Sequence, residues 1–142
     1  MTARVLGIDY GRVRVGLALS DGLGLTAQPL AVLSNTGTDA LLDALEKVIV
    51  EREVTRLVVG LPLSLDGSEG PAAAGVRVFA AKLTGRFELP VELWDERLST
   101  AQAERAMLDA DLSRAQRKKR RDKVAAQVFL QSWLDAHRNT PG

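Results

Sequence analysis

The chain of 142 residues contains no cysteine and a single histidine, and only 4% of it is aromatic. Without cysteine, disulfides, zinc–thiolate sites and thiol nucleophiles are excluded. The one histidine, His137, stands a few residues from the C-terminus, which argues against serine–histidine catalysis and histidine-based metal sites. Any chemistry must therefore use carboxylates, hydroxyls, lysines or a bound metal ion.

Long hydrophobic runs are also missing. No apolar stretch approaches the roughly 20 residues that a membrane span needs. The apolar stretch before Asp9 is too short for a signal peptide. We therefore expect a cytoplasmic protein with no membrane association. A composition of 46% hydrophobic and 26% charged residues is typical of a globular protein, and the length predicts one domain over residues 1–142.

Positive charge is concentrated in one segment, residues 114–123. This segment holds seven of the 19 basic residues and one of the 18 acidic residues, so the rest of the chain is acidic on balance. A basic segment on a mildly acidic body predicts a polyanionic partner such as nucleic acid. The alternative explanation is a solvated charged loop. The basic residues are Arg114, Arg117, Lys118, Lys119, Arg120, Arg121 and Lys123.

The hydrophobic pattern predicts an α/β fold with a mixed five-stranded sheet. The predicted strands are 4–9, 13–20, 26–33, 56–61 and 91–94, and the predicted helices are 38–52, 72–83, 99–109 and 121–136. The first three strands form an antiparallel meander, and right-handed crossovers add the other two. We therefore expect the strand order 3-2-1-4-5 with helices on both faces, Pro29 in an edge or irregular strand, and residues 114–121 in a loop or frayed helix.

Asp9 ends the first predicted strand, between Gly7 and Gly11. An aspartate at this position is common in ordinary turns. The two glycines, however, let the backbone approach a ligand closely. Open α/β sheets also place their sites at the carboxyl ends of strands. Asp9 is therefore a candidate site residue.

Asp122 begins the stripe of the last predicted helix that should face the core. It shares this stripe with Ala126, Phe129 and Trp133, all of which are apolar. An aspartate near a helix N-terminus gains at most about 1 kcal/mol from the helix dipole. Desolvating an unpaired carboxylate costs several times more, so Asp122 should either hold a metal ion or pair with a cation.

Asp95 and Glu96 follow the fifth predicted strand, and adjacent residues of a strand point to opposite faces. At most one of them can face the same site as Asp9, and Arg97 could neutralise the other. Asp66 is a weaker candidate, because Asp66-Gly67 is typical of a turn. Three carboxylates without histidine or thiol favour Mg²⁺ or Mn²⁺, and two such ions can catalyse phosphodiester hydrolysis.

Four segments resemble the YqgF/RuvX family, and together they span nearly the whole chain in order. They are GIDYGRVRVGLA at 7–18, VVGLPLSLDGSEG at 58–70, DERLST at 95–100 and DKVAAQVFLQSWL at 122–134. The resemblance implies a ribonuclease H-like fold related to Holliday junction resolvases. It also implies a role in ribosome biogenesis, maturing the 5′ end of pre-16S rRNA, with some members described as junction resolvases.

The resemblance further implies that Asp9, Glu96 and Asp122 form the catalytic, metal-binding set. One feature departs from the wider superfamily. The fourth strand ends in Gly60-Leu61-Pro62, without the acidic residue that related resolvases have there. Glu96, which follows the fifth strand, would therefore have to reach across to the site.

Two other classes of function remain open at this point. Sugar-kinase and actin-type ATPases share the implied fold, with a first hairpin that cups nucleotide phosphates. The chain is too short for the two domains of such a cleft unless it forms a homodimer. A non-catalytic RNA-binding module using residues 118–121 is the second alternative. Divalent-metal-dependent cleavage would separate the three classes, and either pre-rRNA or a branched DNA junction could be the substrate.

Overall fold

The computed structural model describes residues 4–98 and 114–137, with the backbone alone described for residues 114–123. Five strands, three helices and one 3-10 turn lie within these ranges. They are β1 (Val5–Asp9), β2 (Arg14–Ser20), β3 (Ala27–Ser34), α1 (Thr38–Glu51), β4 (Arg56–Leu61), α2 (Pro71–Arg86), β5 (Val91–Asp95), the 3-10 turn (Glu96–Leu98) and α3 (Arg114–His137).

The five strands form one sheet in the order β3-β2-β1-β4-β5, which confirms the predicted topology. β1 pairs antiparallel with β2 and parallel with β4, and β5 pairs parallel with β4. β1 is therefore the central strand. Because β1, β4 and β5 are parallel, their carboxyl ends meet at one edge of the sheet. This carboxyl edge carries Asp9 at the end of β1.

Two hydrophobic clusters cover the two faces of the sheet. On one face, leucines of α1 and apolar residues of α2 pack on Leu6 and Ile8 of β1. On the other face, Phe129 and Leu130 of α3 pack on Val58 of β4. β4 contributes to both clusters, as its continuous apolar sequence predicted. The site described below lies on the α3 face.

Glycine and glutamine hold α3 close to the sheet. A Cβ on Gly7 would lie 3.0 Å from the Cβ of Leu130, so the absence of a side chain permits this close approach. The side chain of Gln131 accepts a hydrogen bond from the Ala27 amide at 2.9 Å and donates to the Leu25 carbonyl at 2.9 Å. These contacts fix α3 against β1 and the start of β3.

Edge strand β3 accommodates Pro29, as the sequence predicted. Pro29 pairs with Ala18, and the register shifts between Leu17 and Ala18, so the pairing is irregular beside the proline. Val13 differs from expectation: it precedes β2 in the turn and is 67% exposed, whereas Val15 and Leu17 are buried. Because the tight hairpin connection extends through Val13, the buried part of β2 begins only at Val15.

The last helix begins earlier than residue 121, where the sequence predicted its start, and of the two states expected for the preceding segment the loop is wrong. Residues 114–121 were expected in a loop or frayed helix, but α3 is already helical from Arg114. This stretch contains only arginine, lysine, glutamine and alanine, all strong helix formers, and its charge run concealed that propensity. The predicted helix at 99–109 lies outside the described residues. Within the described ranges, no helix is long and apolar enough to cross a membrane.

Candidate functional site

Asp9 lies on the α3 face of the sheet and is 8% exposed. In the β1–β4 register Gly7 pairs with Val58, so Asp9 lies level with Gly60. Gly60 in turn pairs with Trp94 of β5. Side chains at paired positions point to the same face, and Val58 and Trp94 both pack in the cluster beneath α3.

Glu96 reaches back over the end of β4 toward this face. It is the first residue of the 3-10 turn after β5 and is 1% exposed. A Cβ on Gly60 would lie 2.9 Å from Glu96 Oε1, so the carboxylate occupies space that any other residue at position 60 would fill. Two buried carboxylates, from Asp9 and Glu96, thus stand at neighbouring positions of the carboxyl edge.

Asp95 belongs to the opposite side of the sheet. It pairs with Leu61, which packs in the cluster beneath α1 and α2. Arg97 Nη2 lies 2.7 Å from Asp95 Oδ2. Hydrogen bonds from the Arg97 side chain are the main reason that the pKa of Asp95 lies below its usual value. The structure therefore separates Asp95 from Glu96 and pairs it with Arg97, as alternation along the strand predicted.

Asp66 is an exposed turn residue. Its Oδ1 accepts a hydrogen bond from the Ser68 amide at 2.9 Å. Hydrogen bonds from Ser68 lower the pKa of the Asp66 carboxyl, and the charge of Arg97 contributes in the same direction. These contacts fit the turn interpretation of Asp66-Gly67.

The other candidate residues lie in the first half of α3. Asp122 and the basic residues Arg114, Arg117, Lys118, Lys119, Arg120 and Arg121 are all helical, and their side chains lie outside the description. Among the side chains that are described, no three carboxylate or imidazole groups converge into a metal site. Asp9 and Glu96 are the two described members of the expected three-carboxylate set.

Sequence reasoning missed two features that shape the site. One is the role of Gly60 in making room for Glu96, although an isolated glycine inside an apolar strand does indicate close approach of another group. The second is the tie between α3 and the turn that carries Glu96. Ser132 Oγ donates to the Leu98 carbonyl at 3.0 Å, and Trp94 Nε1 donates to Ser132 Oγ at 3.3 Å. Nothing in the sequence pattern signals these contacts.

Solved structures match this architecture over nearly the full chain. Thermus thermophilus RuvC in complex with a Holliday junction substrate superposes with a TM-score of 0.61 at 15% identity, covering 97% of each chain. Another RuvC structure from the same organism gives a TM-score of 0.56 at 16% identity, covering 96% of this chain and 97% of its own. At such identities the likeness shows the fold, which is ribonuclease H-like.

Sequence comparisons are more specific. A relative from Myxococcus xanthus is 54% identical, over 95% of this chain and 89% of its own length. One from Symbiobacterium thermophilum is 48% identical, over 97% of this chain and 96% of its own length. Both are provisionally named pre-16S rRNA nuclease. The RuvX family model, which bears the description Holliday junction resolvase, matches residues 3–136. The chain therefore belongs to the RuvX family.

Proposed function

We propose that this chain is a divalent-metal-dependent nuclease that processes the 5′ end of pre-16S rRNA, with Asp9, Glu96 and Asp122 as its catalytic, metal-binding residues. The proposal takes residues 1–142 as one catalytic domain working in the cytoplasm. One observation carries it: Asp9 and Glu96 are 8% and 1% exposed, and both lie at the same edge and face of the sheet, beside Gly60. The proposed reaction and RNA substrate are taken from the names of the chain's relatives, which describe a pre-16S rRNA nuclease.

The chemistry of the described donors fits Mg²⁺ or Mn²⁺. Both donors are carboxylates, which hard divalent cations prefer, and the chain contains no cysteine that would favour a softer metal. Bringing two carboxylates together in a buried position is costly unless positive charge compensates them. Bound ions would activate water and stabilise the leaving oxygen of the phosphodiester. Asp9 and Glu96 would hold them against the end of β1.

The path of α3 supports Asp122 as the third ligand. A Cβ on Gly7 would lie 3.4 Å from the carbonyl oxygen of Ala126. Asp122 precedes Ala126 by four helical residues, a rise of about 6 Å. Asp9 follows Gly7 by two strand residues, about 6.6 Å. The helix runs toward the carboxyl edge in its N-terminal direction, because Phe129 lies beside Gly60 while Trp133 contacts Arg56 at the start of β4. From these two rises we infer that the backbone of Asp122 comes about level with Asp9.

The basic segment supports a nucleic-acid substrate. Residues 114–121 immediately precede Asp122 on the same helix, so the backbone of the basic segment leads directly into Asp122. Arginine and lysine contacts to phosphate position a nucleic acid without reading its sequence. We assign this segment to binding the backbone of the substrate strand. The family match also favours a nuclease over the ATPase alternative.

A second candidate is cleavage of four-way DNA junctions. The observation favouring it is the family description, Holliday junction resolvase. The same carboxylates would act on DNA in that case, because the chemistry of phosphodiester hydrolysis is shared. The two candidates differ only in the substrate.

The experiment is a side-by-side cleavage assay with purified protein. The substrates are a pre-16S RNA fragment spanning the mature 5′ end and a synthetic four-way DNA junction, each with Mg²⁺, Mn²⁺ or EDTA. We expect cutting of the RNA at one position, dependent on the metal and lost in Asp9→Asn and Glu96→Gln variants. Cutting of the junction alone would establish the second candidate. Binding of RNA without cleavage of either substrate would contradict the proposal and leave an RNA-binding module.

A further inference from the structure

Asp95 and Arg97 flank Glu96 in the chain but do not share its site. We propose that this ion pair is a positioning device that fixes the turn carrying Glu96 and fastens the loop at residues 62–70 beside the candidate active site. The inference deepens the proposed function, which supplies the catalytic role of Glu96. Its structural part stands on contacts that are independent of that role.

The first half of the device is a closed turn around Glu96. Asp95 Oδ1 accepts a hydrogen bond from the Arg97 amide at 2.9 Å. The Arg97 guanidinium also donates hydrogen bonds to the same carboxylate, with Nη2 at 2.7 Å from Oδ2 and Nε at 3.1 Å from each oxygen. A carboxylate that bonds the backbone two residues ahead sets a tight turn. The chain therefore leaves β5 with Glu96 turned back over Gly60.

The second half of the device fastens the loop that follows β4. Arg97 Nη1 donates to the Leu65 carbonyl at 3.3 Å. A Cβ on Gly67 would lie 3.5 Å from Nη1, so the guanidinium packs on the loop backbone. Gly67 has a φ of 88°, a conformation that favours glycine. Arg97 thus joins the loop to the carboxyl end of β5.

The loop is also ordered from within and at its far end. The Gly67 amide donates to the Ser64 carbonyl at 2.8 Å, and the Ser64 amide donates to the Ser68 carbonyl at 3.0 Å. Glu69 accepts two hydrogen bonds from Arg77 of α2, at 2.6 and 2.8 Å. Leu65 nevertheless remains 90% exposed, so the loop is held in place by hydrogen bonds while its outer surface faces solvent. At the carboxyl edge, that surface is placed to contact a substrate strand.

A second ion pair of the chain provides a matched control. Arg86 Nη2 lies 2.8 Å from Asp43 Oδ1 and joins α2 to α1, away from the carboxyl edge. The side chains of Arg86 and Arg97 are 33% and 32% exposed. Exposed ion pairs contribute little to folding, so neither substitution should unfold the protein. Any difference between Arg97→Gln and Arg86→Gln therefore reports the position of Arg97.

The first test measures amide hydrogen exchange in the metal-free protein. In Arg97→Gln we expect the amides of Ser64, Gly67 and Arg97 to exchange at least about tenfold faster than in the wild type, because local opening becomes easier. In Arg86→Gln these amides should exchange at the wild-type rate. Unchanged protection of the three amides in Arg97→Gln would overturn the inference. This readout does not depend on whether the protein cleaves RNA.

The second test separates the two halves of the device by steady-state cleavage of the pre-16S fragment. Arg97→Gln should lower kcat about 10- to 100-fold, because Glu96 loses its orientation, and should also raise KM. Lysine is a point charge that can pair with Asp95 but lacks the planar fork that reaches both Asp95 and Leu65. Arg97→Lys should therefore recover much of kcat while KM stays high. Wild-type kcat and KM in Arg97→Gln would contradict the inference, whereas an inactive wild type would contradict only the proposed function.

Discussion

Gly60 and Glu96 occupy one space: a Cβ on Gly60 would lie 2.9 Å from Glu96 Oε1. Gly60 stands near the end of β4, a strand that carries no acidic residue of its own. In this chain the carboxylate over that position comes instead from the turn after β5. The glycine and the glutamate are therefore two parts of one arrangement, because a side chain on β4 would exclude the carboxylate that arrives from β5.

Gly60→Ala should damage the site more than the fold. The added methyl would also lie 2.9 Å from Phe129 Cε2, an aromatic ring in the core that has little room to shift. Overpacking of this kind costs about 1–3 kcal/mol. Displacement of Glu96 should lower cleavage by about tenfold or more, since small errors in catalytic geometry are costly. Thermal unfolding and cleavage measured on one preparation would test both effects.

Gly75→Ala is the control for this substitution. Gly75 lies inside α2, and nothing stands within 4 Å of the position of its Cβ. Alanine there should stabilise the protein by about 0.5–1 kcal/mol through helix propensity. Its cleavage rate should match the wild type. A Gly60→Ala variant that cuts as fast as Gly75→Ala would show that Glu96 tolerates displacement.

The fold was predictable because its signals are local and periodic. The continuous apolar run of β4 and the spacing of leucines in α1 each predicted an element whose bounds differ from the observed ones by at most one residue. The start of α3 was not predictable from charge alone, because a run of arginine and lysine is compatible with both loop and helix. In this stretch helix propensity determined the outcome.

The site was only partly predictable. The predicted strand order put the end of β1 beside the end of β4. The alternation of side chains along a strand predicted that Glu96 and Asp95 point to opposite faces. Together these two patterns indicated which carboxylates could share a face. Two features of the site depend on side-chain packing between segments about thirty residues apart. They are the space above Gly60 and the hydrogen bond from Arg97 to the Leu65 carbonyl. No periodicity encodes such contacts.

Replacing Lys118, Lys119, Arg120 and Arg121 by alanine should weaken nucleic-acid binding without unfolding the protein. Alanine is the best helix former, so α3 should keep its helical start. Each lost phosphate contact should reduce the slope of log affinity against log salt by about 0.9 on duplex DNA and about 0.7 on single strands. Binding titrations at several salt concentrations would measure the slope.

The control for this variant replaces basic residues elsewhere in the chain. Arg52 and Lys82 lie on the exposed surface, outside the basic segment. An Arg52→Ala, Lys82→Ala variant should leave the salt slope unchanged. If the four substitutions in α3 also left the slope unchanged, the nucleic acid would bind on another surface. Circular dichroism of both variants would verify that helix content is retained.

Asp95→Asn should make the protein less stable at neutral pH but not at acidic pH. The hydrogen bonds from Arg97 lower the pKa of Asp95 in the folded protein. Stability from such a group is complete above its unfolded pKa, about 3.9, and is lost as the pH falls through the lower folded value. The difference in free energy of unfolding between wild type and variant should therefore be constant above about pH 5 and shrink below about pH 4.

The same titration in an Arg97→Gln background identifies the partner. Without the guanidinium, the Asp95→Asn difference should be smaller at neutral pH and should vary less on acidification. Urea unfolding at closely spaced pH values would give both differences. A difference that persisted undiminished well below pH 4 would show that a group other than Asp95 titrates.

Asp122→Asn distinguishes a metal ligand from a structural ion pair, because asparagine keeps the shape and removes the charge. If Asp122 joins Asp9 and Glu96 around a metal ion, the metal-free protein carries clustered negative charge. Removing one charge should then leave the stability unchanged or raise it. Cleavage should fall by orders of magnitude, since the ions that activate water are no longer held in position.

If Asp122 instead pairs with a buried arginine or lysine, asparagine would strand that cation and cost about 3–5 kcal/mol. Thermal unfolding without metal and manganese-dependent cleavage should be measured on the same preparation. A metal ligand predicts retained stability and lost cleavage, whereas a structural ion pair predicts lost stability and retained cleavage. Asp135→Asn, an exposed change on the same helix, controls for the effect of substituting an aspartate in α3. We expect Asp122→Asn to be as stable as the wild type and inactive. A destabilised variant that cuts at the wild-type rate would remove Asp122 from the catalytic set, and with it the three-carboxylate site.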